Sequence, residues 1–250
     1  MTTVVTRTAT AARGAILFAA LLGAGCRSTA VDDGSIPSSA STITAAANEP
    51  RTSLRTVSSV ERGPVADGIL RAGIGDLAPD FELLDLDGRR QRLSTHRGKI
   101  VVLEWFNPKC PVVKYAYDEG PLSEMKRRYA MTGIVWLAIN SNAPGQEGSE
   151  PDDNRAFLAQ RRLTTPVLLD PLGLVGRTYG ARTTPHVFVV NERGVLVYSG
   201  ALDNAPQGRV ESAAAKTNYV ETAISDLRSG HAVTTSSTRP YGCSIKYDRL

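Results

Sequence analysis

The chain has 250 residues, a hydrophobic content of 42% and a formal net charge of +4. That is enough apolar material to bury a sizeable core, in one domain with extensions or in two small domains. The 29 lysines and arginines are scattered, with no basic stripe or interleaved aromatic face, which argues against a nucleic-acid surface, and no run reaches the ~20 apolar residues of a membrane-spanning helix.

The N-terminus reads as a targeting segment. Arg7 and Arg13 make a positive region with no acid before Asp32, and a short apolar run, AILFAALLGA, follows at 15–24. This is the layout of a secretory signal. The run LLGAGC ending at Cys26 resembles a bacterial lipobox, with Gly23 where that motif usually has leucine. Residues 1–26 are therefore expected to be an export signal, with Cys26 as a lipidation site. Residues 27–66 are rich in Ser, Thr and Ala, lack aromatics and contain Pro37, Pro50 and Pro64. Such a segment buries too little to offset its ordering entropy and is expected to be a disordered linker. A folded domain is expected over 67–232 and a C-terminal tail over 233–250.

Within the domain, residues 81–85 read as a short strand and Asp87-Gly88 as a turn. Residues 100–106 form a near-continuous apolar run, as expected of a strand buried on both faces. A helix is expected over 111–130, interrupted near Gly120-Pro121, and a second buried strand over 134–139. Asp152-Asp153 are expected to cap a helix that runs to Arg162. A short strand at 167–169, a short helix at 172–179, a hairpin over 186–199 turning at 191–194, and a last helix at 218–227 complete the pattern. Strand and helix alternate, which argues for an α/β fold with a parallel centre.

Cys110 sits where a buried strand gives way to a helix. Pro111 suits the first helical position, where its missing N–H goes unnoticed. A thiolate there meets free N–H groups and the positive end of the helix dipole, and Lys109 and Lys114 add positive charge if they turn inward. A free cysteine, with a pKa of about 8.5, is only a few per cent thiolate at pH 7; a fall of about two units makes the thiolate dominant. If Cys26 is lipidated or removed with the signal, Cys110 and Cys243 are the remaining cysteines, in an oxidising compartment.

The segment W-F-N-P-K-C-P-V-V-K at 105–114 resembles the W-F-N-P-x-C-P-F-V-K segment of a bacterial redoxin family beside the AhpC/TSA proteins. V-W-L-A-I-N-S at 135–141, Y-G-A-R-T-T-P-H at 179–186 and Y-G-C-S-I-K-Y at 241–247 resemble three further stretches of that family. The resemblance covers residues 73–250. It implies a thioredoxin-like fold: a central mixed sheet flanked by helices, with a peroxiredoxin-type insertion.

The resemblance also implies roles. Cys110 would be the redox-active nucleophile, acting on a peroxide or a disulfide. Val113 stands where a thioredoxin has its second cysteine, and Asn107 stands where a peroxiredoxin has Thr or Ser. Cys243 would supply the missing resolving thiol, or else form a purely structural bridge. Glu104, six residues before Cys110, matches the buried acid of thioredoxins and would take a proton; alternatively it is a strand-end carboxylate paired with Lys99 or Lys109. Thr184 and Pro185 match the cis-proline loop that meets a bound partner, with Pro111 and Lys114 lining the same site. Tyr115 and Tyr117 would line the site or pack beneath it. No organic cofactor and no resident metal are implied, and the expected reductant is a thioredoxin-like protein. Two other readings stay open: a copper module using Cys110, Cys243 and His186, and a non-catalytic redox-sensing domain.

Overall fold

The structure, a computed structural model, describes residues 71–210 and 215–248. The expected signal, Cys26, the whole of the expected linker and the first residues of the expected domain lie outside them. The described strands are β1 (Glu82–Asp85), β2 (Arg90–Arg92), β3 (Val101–Trp105), β4 (Val135–Asn140), β5 (Val167–Leu169), β6 (Thr183–Thr184), β7 (His186–Val190), β8 (Leu196–Gly200) and β9 (Cys243–Ser244). The helices are α1 (Pro111–Asp118), α2 (Leu122–Ala130), α3 (Pro151–Gln160), α4 (Leu174–Tyr179) and α5 (Tyr219–Arg228).

Seven strands form one sheet in the order β2-β1-β5-β4-β3-β7-β8, and β6 pairs with β9 apart from it. β3, β4 and β5 run parallel; β7 and β8 add antiparallel strands on one side and β1 and β2 on the other. β3 is central and every residue of it is buried, which is why its sequence is apolar without alternation. β5, reached from β4 through α3, extends the sheet on the side away from β3.

Side chains alternate across β3. Val102 and Phe106 face a core completed by α1, α2, α5 and Phe157 of α3, and Cys110 belongs to that core. Val101, Leu103 and Trp105 face a second core with Ala78, Phe81, Tyr179 and Ile245.

The interruption expected near Gly120-Pro121 is present: 111–130 holds two helices with these residues between them. One local expectation is corrected. Asp152 and Asp153 do not cap α3; Glu150 is its N-cap and Pro151 its first residue, so the two aspartates lie in the first turn, where the helix dipole favours them. The turn at Asp87-Gly88 closes a hairpin whose second strand, β2, is short and mostly exposed, and so lacks the apolar alternation by which a strand is recognised.

Candidate active site at Cys110 and Cys243

Cys110 is the N-cap of α1, with extended backbone (φ −64°, ψ 123°), and Pro111 follows at the first helical position. The buried strand delivers the sulfur and the proline starts the helix, as the local sequence dictates. Cys110 is only 2% exposed.

The two cysteines meet. Cys110 and Cys243 form a disulfide with a Cα–Cα distance of 6.0 Å across 133 residues of sequence. Cys243 is the more accessible of the two. The Thr184–Pro185 peptide is cis, and the carbonyl oxygen of Thr184 lies 3.1 Å from Cys110 Sγ. β9 runs antiparallel to β6, placing Cys243 opposite Thr184 and Ser244 opposite Thr183. Gly242 has φ +134°, and a Cβ there would collide with the Thr184 carbonyl, so the tail can approach this closely only through glycine.

Glu104 is fully buried, so it is not the solvated strand-end carboxylate paired with Lys99 or Lys109. Its partner is Lys126 of α2, with Nζ 2.8 Å from Oε2 and both side chains almost wholly inaccessible. Trp136 Nε1 donates to Oε2 at 2.8 Å and Tyr117 Oη donates to Oε1 at 2.9 Å. Lys126 Nζ also donates to Tyr117 Oη. Burial pushes the Lys126 ammonium down from its usual range, an effect the Glu104 carboxylate opposes. Burial, reinforced by Glu104, pushes the Tyr117 phenol well up. Tyr117 is therefore a buried partner of the acid rather than part of an open site. Sequence reading missed Lys126. The signal was present: it lies between Leu122 and Tyr129 on the apolar face of α2, where a lysine needs a partner.

Asn107 builds the loop. Its Oδ1 accepts the Lys109 N–H at 2.8 Å and its Nδ2 donates to the Glu147 carbonyl at 3.1 Å. Lys109 pairs with Asp153 at 2.6 Å, and Lys114 is exposed. The condition under which these lysines would add charge at Cys110, an inward turn, is not met, while the N-terminus of α1 lies at the cysteine itself.

His186 is buried, with its Nδ1 accepting the Arg182 N–H at 3.3 Å and Nε2 beside Ser199 Oγ at 3.3 Å. Its ring packs against Phe188, 4.4 Å between centroids, on the second-core face of β7. Both nitrogens are engaged, so the structure does not bring the imidazole to the sulfurs, as the copper reading would need. Burial, helped by the Arg182 charge, lowers its pKa to about 4. Among the described residues, no group of three or more His, Cys, Asp or Glu is placed to hold a metal ion.

The tail is more ordered than its sequence suggests. Tyr241 Oη donates to Asp203, Ile245 is buried in the second core, and Tyr247 Oη donates to the Ala181 carbonyl at 2.9 Å. Asp170, which receives Ser141 Oγ at 2.6 Å and the Gly176 N–H at 2.9 Å, secures the start of α4 beneath that tyrosine. Neither Asp203 nor Asp170 stands out in the sequence, because each is significant only through contacts distant along the chain.

A three-strand parallel centre, an antiparallel closing hairpin and a cysteine at a strand-to-helix junction facing a cis-proline loop define a thioredoxin-like fold. The chain belongs to the AhpC/TSA family, which matches residues 74–199. It is 34% identical over 123 residues to a thiol-disulfide oxidoreductase ResA of Geobacillus thermodenitrificans, covering 48% of this chain and 65% of that protein. It is 30% identical over 122 residues to the thioredoxin-like protein YneN of Bacillus subtilis, covering 49% and 68%. The chain thus spans 65% of the length of the ResA relative. Among solved structures, a hypothetical protein from Sinorhizobium meliloti superposes with a TM-score of 0.62 at 26% identity, covering 71% of this chain and 96% of that one. An uncharacterized conserved protein from Geobacillus kaustophilus gives 0.63 at 27% identity, covering 71% and 94%.

Proposed function

We propose that this protein is an exported thiol–disulfide oxidoreductase whose working group is the Cys110–Cys243 pair. The observation that carries the reading is the bridge itself, made at a helix N-terminus against the cis-proline loop. Closing the bridge releases two electrons and two protons to a substrate disulfide, which leaves as two thiols. Opening it consumes the same from a dithiol partner of thioredoxin type. In the open state Cys110 is the stabilised thiolate, since α1 presents free N–H groups to it. The buried Glu104, on the strand that leads to Cys110, is the carboxylate proposed to handle the proton, paired with Lys126.

A peroxide substrate is the second reading, favoured by membership of the AhpC/TSA family. The Cys110 thiolate would then attack one peroxide oxygen, breaking the O–O bond with release of an alcohol (water, for hydrogen peroxide), and the resulting sulfenic acid would condense with the Cys243 thiol, releasing water. The amide of Asn107 is engaged by the loop, which supports the disulfide reading over this one.

The test is disulfide mapping by mass spectrometry on the fully reduced chain, treated with one equivalent of either oxidised glutathione or hydrogen peroxide. Rapid bridging by the disulfide, with reopening by a thioredoxin system, is the expected result. Bridging by peroxide alone favours the peroxidase, and a bridge that no native-state reductant opens would make it structural.

Export and attachment through Cys26 are proposed from residues 1–26, with 27–66 as tether, 67–232 as the working domain and 233–250 as the tail that brings Cys243. No helix among the described residues is long and apolar enough to cross a membrane. A Cys26→Ser variant should move the protein from the membrane fraction to the soluble envelope fraction.

A further inference from the structure

We infer that Tyr247 is a positioning residue: it keeps the tail seated whether the bridge is closed or open, so that partner thiols attack the bridge at Cys243 rather than at Cys110 and the open pair re-closes rapidly. The inference rests on the redox pair proposed above.

The tail is held on both sides of Cys243 by contacts that do not involve sulfur. Upstream, Tyr241 is bonded to Asp203, and Thr238 Oγ1 accepts the Ala201 N–H at 2.9 Å. Downstream, the Ile245 N–H donates to the Arg182 carbonyl at 3.1 Å and the Ala143 N–H to the Lys246 carbonyl at 2.8 Å. The Lys246 N–H donates to Asn142 Oδ1 at 3.0 Å. Tyr247 ends this run. Its ring lies in a notch whose floor is Gly173 and Gly176, where a Cβ at either position would collide with it. The Arg177 guanidinium covers the ring, 4.7 Å from its centroid, and reaches on to the Asp248 carbonyl at 2.6 Å.

Breaking the sulfur bond removes none of these contacts. Cys243 is therefore kept within bonding reach of Cys110, and bridge formation proceeds at the effective concentration of a docked pair rather than of a loose tail. The same seating buries Cys110 and leaves Cys243 the more accessible sulfur. A partner thiolate attacks Cys243 Sγ and the internal S–S bond breaks. The electron pair leaves on Cys110 Sγ as a thiolate at the start of α1. The partner's second thiolate then attacks its own sulfur in the mixed disulfide and frees Cys243 as a thiolate, which takes up a proton. The partner leaves oxidised, and the pair has gained two electrons.

The experiment treats the oxidised full chain with limiting glutathione, quenches with acid and maps the adduct by peptide mass spectrometry. In the wild type the adduct is expected on Cys243 in about tenfold excess over Cys110. Tyr247→Ala should lose most of that preference and re-close the bridge about tenfold more slowly, whereas Tyr247→Phe, which keeps the ring, should stay close to wild type. Hydrogen exchange on the reduced wild type supplies a readout without mutation: the Ile245 and Lys246 amides should stay protected. An adduct on Cys110 in the wild type, a Tyr247→Ala variant identical in adduct position and closure rate, or loss of protection on reduction would each overturn the inference while leaving the redox pair intact. A native bridge that excess dithiothreitol does not open would overturn the redox reading and this inference with it.

Discussion

The two halves of the disulfide are held in opposite ways. Cys110 is placed by its neighbours in sequence: a fully buried strand before it and a proline-started helix after it. The strand before it also carries one half of a buried ion pair, Glu104–Lys126. Cys243 is placed by residues far away along the chain: Asp203, Arg182, Ala143, Ala181 and the glycine notch of α4. The first sulfur is rigid because the core is rigid; the second is rigid only as long as its anchors hold. In the redox cycle proposed above, a thiolate set by local backbone electrostatics would thus work with a partner thiol set by docking.

The largest way to break this arrangement is to remove the link. Cys243→Ser should lower unfolding stability by up to about 5 kcal/mol in the chain-entropy model, read from denaturant midpoints. Most of that loss acts through the unfolded chain, so the folded tail should keep its amide protection.

Next in size is the charge pair on the Cys110 side. Lys126→Met leaves Glu104 buried without a cation and should cost about 3 kcal/mol, measured by chemical denaturation. Combining Lys126→Met with Glu104→Gln removes both charges and should recover much of the loss. A double variant as unstable as the single one would mean that the hydrogen bonds from Tyr117 and Trp136, rather than the charges, dominate this side.

On the Cys243 side, His186 supports the loop to which the tail is paired. Its folded pKa of about 4 lies below the ordinary 6.5, because burial and Arg182 disfavour the imidazolium. The neutral form is thus favoured by folding. Its contribution is complete above about pH 6.5 and is lost as the pH falls toward 4, amounting to roughly 3 kcal/mol at most. His186→Gln should flatten the pH dependence of stability across that window relative to wild type. An unchanged slope would assign the acid sensitivity to carboxylates instead.

The smallest change sharpens the comparison most. Gly176→Ala adds one methyl beneath Tyr247, where it would meet the Tyr247 hydroxyl and Ser141 Oγ. We expect a cost of about 1–2 kcal/mol from this overpacking. Faster amide exchange should be confined to 243–248, with the Cys110 side unaffected. Exchange that also rises in α1 would show that the two sides are coupled through the bridge.

Much of the Cys110 side was legible in sequence. A continuous apolar run means a strand buried on both faces, and Cys-Pro at its end means a helix start. Gly120-Pro121 marked the break between α1 and α2, and 191–194 marked the turn between β7 and β8. The spacing of Glu104 placed an acid on the same strand, although whether it was buried or solvated was open. Lys126 went unread because an apolar-face lysine announces only that a partner must exist, not which one. Asp152 and Asp153 misled because Pro151 had already taken the first helical position.

The sequence by itself determined that Cys110 would lie where a buried strand meets a helix start, because that placement depends on backbone direction within a few residues. Only the tertiary structure decided that Cys243 crosses 133 residues to meet it, that the tail forms a strand against Thr183 and Thr184, and that Lys126 neutralises Glu104. These depend on which distant surfaces are complementary in shape and charge once the sheet has assembled, and no local pattern of residues carries that information.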